Sequence, residues 1–62
     1  MGFMNQTDLR KINARIEKIR NAAEELRKFS RGIPAVNRNA ERIIASTKML
    51  EINISDILKL LR

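Results

Sequence analysis

Apolar residues recur along this chain at alternating steps of three and four. From residue 9 the series runs Leu9, Ile12, Ile16, Ile19, Ala23, Leu26, Ser30. After a break it resumes as Val36, Ala40, Ile43, Thr47, Leu50, Ile54, Ile57, Leu61. Steps averaging 3.5 residues gather such a series onto one narrow stripe of an α-helix, the heptad seam of coiled coils and helical bundles. Two helices are therefore predicted, over about 6–31 and 34–61, within a single helical-hairpin domain spanning 1–62.

The break is Ser30-Arg31-Gly32-Ile33-Pro34. Gly32 suits the left-handed residue that follows a last helical turn. Pro34 fits the first position of a new helix, where its missing N–H is no loss, and it pushes Ile33 to an extended backbone. Upstream, Asn5 is the expected N-cap, with Thr7 as the alternative. Asp8 then falls in the first turn, where a carboxylate meets the positive helix end. Met4 and Leu9 stand at the flanking positions of a hydrophobic staple. Asn53-Ile54-Ser55 is weak in helix propensity, but the apolar repeat crosses it unbroken and the second helix is expected to continue.

The two seams also mate. When the chain is folded at the turn and residues summing to 66 are paired, Leu26 meets Ala40, Ala23 meets Ile43 and Ile19 meets Thr47. Ile16 then meets Leu50, Ile12 meets Ile54 and Leu9 meets Ile57. Near the turn large faces small, as a packed layer requires. The fold class expected is thus all-α, a two-helix antiparallel hairpin.

One hairpin is too little. A chain of 62 residues buries only about 60% of the surface it exposes when unfolded, and a single seam between two helices is a small core. The second helix is apolar around most of its circumference. Ile44 and Leu58 flank its seam on one side and Leu60 on the other, while Ala45, Met49 and Ile52 form a stripe on its back. Such a helix has more than one neighbour. These six residues are the expected oligomer interface, with the second helix central and the first outside. A homodimer closing into a four-helix bundle is the simplest assembly, and a tetramer the alternative.

Composition narrows the chemistry. The chain has no Cys, His, Trp or Tyr, which removes disulfides, thiolate metal sites and the commonest acid–base group and metal ligand. No catalytic residue, metal ligand or cofactor site is expected, and the chain is read as no enzyme. Ser30 and Thr47 interrupt the seam without an acid or base on their face; Thr47 is expected to bond back to its own helix. At 44% apolar, with two Gly and one Pro, the chain is not a solvated tail. No apolar run reaches the roughly 20 residues of a membrane span, and the first residues lack the pattern of a signal peptide. The expected location is the cytoplasm.

A net charge of +6 admits an acidic partner. Its cations concentrate at the turn end: Arg27, Lys28 and Arg31 on the first helix, Arg38 and Arg42 on the second. They are the candidate nucleic-acid contacts, since phosphate recognition needs little more than spaced cations. Nearby Glu24, Glu25 and Glu41, and the want of a Trp or Tyr among the cations to stack on a base, place this second to a protein partner. The Ala45/Met49/Ile52 stripe has two readings, a buried oligomer contact or an adaptable docking strip.

Overall fold

The computed structural model describes residues 5–60. They form two helices, α1 over Gln6–Phe29 and α2 over Pro34–Leu60, packed against each other as a hairpin. Its extents are 45 × 20 × 15 Å. Asn5 caps α1 as expected: its backbone is extended and its Oδ1 accepts the Asp8 N–H at 2.9 Å. That bond satisfies one of the donors a helix start leaves open. The α2 helix runs through Asn53-Ile54-Ser55 without interruption. The Met4–Leu9 staple and the seam position Leu61 lie outside the described residues.

Two expectations at the turn need correction. α1 ends at Phe29, two residues earlier than the spacing predicts, and Gly32 is not left-handed; among the described residues no φ is positive. Ser30 closes the helix instead, donating its N–H to Leu26 O at 3.0 Å. The Ile33 N–H then donates to Ser30 O at 2.9 Å. This 30–33 bond reverses the chain through an ordinary turn that right-handed residues can make, so the left-handed residue is not needed. Ile33 in turn caps α2, its carbonyl accepting the Asn37 N–H at 3.0 Å.

The core is a strip of residues spaced by sevens. On α1 the buried positions are Leu9, Ile16, Ala23 and Ser30; on α2 they are Ala40, Thr47 and Ile54, joined by Ile44. Leu9, Ile16 and Ile54 form one cluster with Ile12 packed against it. Ile54 therefore sits opposite the stretch centred on Ile12, the partner that antiparallel pairing assigns to it. Small residues (Ala23, Ser30, Ala40) lie toward the turn and large ones toward the open end. Thr47 is almost wholly buried, and its Oγ1 donates to Ile44 O at 2.7 Å, the expected bond within its own helix. Ser30 Oγ lies 3.4 Å from Arg27 O. Among the described residues no buried side-chain polar atom lacks a partner, as a core this small requires.

The seam, however, splits. Only one of its two columns on each helix is buried. The others, Ile19 and Leu26 on α1 and Ile43, Leu50 and Ile57 on α2, remain 37–46% exposed. Two helices in contact cover only the positions nearest the line between their axes, and a seam two columns wide overhangs that line.

Candidate interaction surface

The contact line divides the hairpin into two unlike flanks. One is tied by polar groups. The Arg20 guanidinium pairs with the Glu51 carboxylate at 2.5 Å, both side chains partly buried. Nearer the turn, Asn37 Nδ2 donates to Arg27 O at 2.9 Å and latches the start of α2 to the end of α1. Ile44 is buried on this flank. Sequence reasoning missed both ties. Arg20 and Glu51 each stand one helical step beside the buried column, which marks the flank but not the partner; nothing in the sequence marks the Asn37 latch.

The opposite flank is open and apolar. Ile19, Ala22, Ala23, Leu26 and Ile43 line a groove there. The i, i+7 spacing of a helix carries it on through Leu50 and Ile57. One step further out stand Asp8, Arg15, Ala22 and Phe29 on α1, and Asn39, Ser46, Asn53 and Leu60 on α2. The half of this face nearer the turn carries no charge, and two diagonally opposite corners of the whole face hold the most exposed large apolar side chains, Phe29 at the turn and Leu60 at the open end. Charge depletion at the centre with large apolar residues is the composition of a surface that another protein covers.

Of the six interface residues expected from the sequence, five lie exposed: Ala45, Met49, Ile52, Leu58 and Leu60. The sixth, Ile44, belongs to the hairpin's own core and offers little to a partner. Ala45, Met49 and Ile52 lie on the back of α2, away from α1, with Met49 59% and Ile52 51% exposed. Leu58 borders the polar flank, beside a groove shared with Leu9, Asn13 and Ile54. Sequence reasoning did not single out the columns of Ile19 and Leu26 and of Ile43, Leu50 and Ile57 as surface. The pattern assigned them to the hairpin's interior.

At the turn end four of the five candidate cations gather around two clefts. Arg27, Lys28 and Arg31 border one cleft, Arg31 and Arg38 the next, and Asn37 lies between the two. Glu41 lies on the rim of the second, and Arg42 lines neither. Among the described residues the one ion pair is Arg20–Glu51, so none of the five turn cations is neutralised at close range. Phe29 is exposed at the same end but lines neither cleft. Among the described residues no group of three or more acidic side chains is placed to hold a metal ion, and no helix is long and apolar enough to cross a membrane. Neither a protein-family model, nor a curated protein, nor a solved structure matches the chain.

Proposed function

We propose that this hairpin is a non-catalytic interaction module that works as a homo-oligomer, two copies closing their open flanks on each other as a four-helix bundle. The split seam carries this reading. In a four-helix bundle each seam points at the bundle axis, between two neighbours, so that one column faces the first neighbour and the other column the second. A lone hairpin then buries one column and half-exposes the other, the distribution found here. The exposed strip on the back of α2, Ala45, Met49 and Ile52, remains for a further partner or a tetramer.

Folding and association are coupled in such a module, so its melting midpoint rises with protein concentration. Circular dichroism melts at widely separated concentrations, with light scattering for the mass, test this. A fixed midpoint at monomer mass would end the proposal.

A second reading, nucleic-acid binding, is favoured by one observation, the two adjoining clefts whose four cations lack close acidic partners. Affinity would then fall steeply with salt as condensed counterions are released. Replacing Arg31 and Arg38 together by Ala would reduce the salt slope by up to about two. A protein purified at low salt without a nucleic-acid absorbance peak, and giving no gel shift with mixed RNA or DNA, would exclude it. That exclusion is the outcome expected, because Glu41 lies on the rim of the second cleft and Glu24 and Glu25 stand one helical turn before Lys28.

A further inference from the structure

We infer that the second copy lies head to tail with the first, each turn beside the partner's open end. This rests on the bundle reading above. A symmetric dimer meets through the same patch on both copies, about a two-fold axis lying in the interface. For two elongated hairpins with aligned helices this leaves two arrangements. An axis along the hairpin sets turn beside turn and α1 over the partner's α2. An axis across it sets turn beside open end and α1 over the partner's α1.

The apolar columns do not choose between these, because rows with seven-residue spacing mesh in either arrangement. The charges do. Between Leu26 and Ala40 the chain carries Arg27, Lys28, Arg31 and Arg38 and no acid. Turn beside turn would gather both clusters at one end of the bundle, where they repel each other, the more so at low salt. It would also set the basic last turn of α1, Arg27 and Lys28, against the first turn of the partner's α2, which holds no acid. Head to tail sets that basic turn against the start of the partner's α1, where Asp8 stands with Arg10 and Lys11 and both signs are present. It sets the acid-free first turn of α2 against the partner's open end, where Asp56 and Lys59 mix both signs. Like-charge contact is exchanged for mixed contact at both ends of the bundle, and the two basic turns come to lie at opposite poles.

Spin labels at Gly32 read this directly. The chain has no cysteine of its own, and a side chain at Gly32 meets nothing within 4 Å and requires no positive φ, so Gly32→Cys leaves the fold intact. Head to tail, the labels in a dimer stand about a helix length apart; 24 residues of α1 at about 1.5 Å each give roughly 36 Å. Turn beside turn, they stand within about 20 Å, one helix spacing plus the label arms. Gln6→Cys, exposed at the open end, is the independent second site and gives the same contrast. A long distance at both sites bears the inference out. A short distance at either overturns the orientation and leaves the dimer standing. Absent dipolar coupling together with a monomer mass by light scattering overturns the dimer, and the inference with it.

Discussion

Leu50 separates a lone hairpin from a paired one. It is 41% exposed in the hairpin, so about three-fifths of its side chain is covered by the chain itself. Full burial of a leucine contributes about 1.5–3 kcal/mol. Replacing it by Asp in a lone hairpin therefore costs about 1–2 kcal/mol, since the new carboxylate can turn into water through the open flank. In the bundle the same position is sealed. An unpaired carboxylate there costs several kcal/mol more, and the pair dissociates before it accepts that cost. Ile16, only 5% exposed, is buried by the hairpin alone, so Ile16→Asp unfolds the chain at every concentration. Lys18 is exposed, and Lys18→Asp changes stability by less than about 0.5 kcal/mol. The assay pairs light scattering with thermal circular dichroism on the three variants and the parent. Ile16→Asp is expected to lose its helicity, Leu50→Asp its dimer mass and its cooperative melt, and Lys18→Asp neither. A Leu50→Asp protein that kept the dimer mass and the parent's melt would show that this flank faces water, and the bundle would have to close elsewhere.

Three further outcomes follow from single contacts. Asn5→Ala removes the acceptor of the Asp8 N–H and lowers stability by about 1 kcal/mol, with Asn5→Ser recovering most of it in denaturant titration. Gly32→Ala raises stability by about 0.4–1 kcal/mol, because the native φ is not positive and the added methyl meets open space; a loss would mean that the turn needs a left-handed residue after all. A double-mutant cycle on Arg20 and Glu51 returns about 0.2–1 kcal/mol of coupling, shrinking as salt rises, since both side chains remain partly in water. A coupling that salt does not move would mean the pair is sealed by a neighbour.

Both helices, the Asn5 cap and the antiparallel mating were legible because each rests on repetition or on a local rule. A heptad repeat sustained over seven or eight seam positions admits one helical phase, and two such repeats joined by a short turn admit little besides a hairpin. The turn was less legible. Gly32 followed two residues later by Pro34 marks a stop, but the stop is met equally by a left-handed glycine or by the hydrogen-bonded turn from Ser30 to Ile33 that the chain uses. Periodicity carries no information on that choice. The Asn37–Arg27 latch and the Arg20–Glu51 pair were out of reach for another reason. A polar side chain beside a seam has several partners within its reach, and rotamers that no pattern specifies decide among them.

Periodicity also determines what the split seam means. A repeat of three and four places every seam residue on one stripe without saying how many helices that stripe faces. If the sequence were written for a two-helix contact alone, the column of Ile43, Leu50 and Ile57 would have no reason to be as apolar as the column of Ala40, Thr47 and Ile54. It is in fact the more apolar of the two, with three large aliphatic residues against an alanine, a threonine and one isoleucine. α1 repeats the arrangement, with Ile12, Ile19 and Leu26 beside Leu9, Ile16, Ala23 and Ser30. The small residues fall toward the turn on the columns that the hairpin buries, where the helices must approach closely, and the bulk falls on the columns it leaves half-bare. Large aliphatic side chains at every heptad of a water-facing column lower solubility and contribute little to a lone hairpin, whereas a second copy of the same face would use all of them. The pattern inside one chain thus supports an assembly of two.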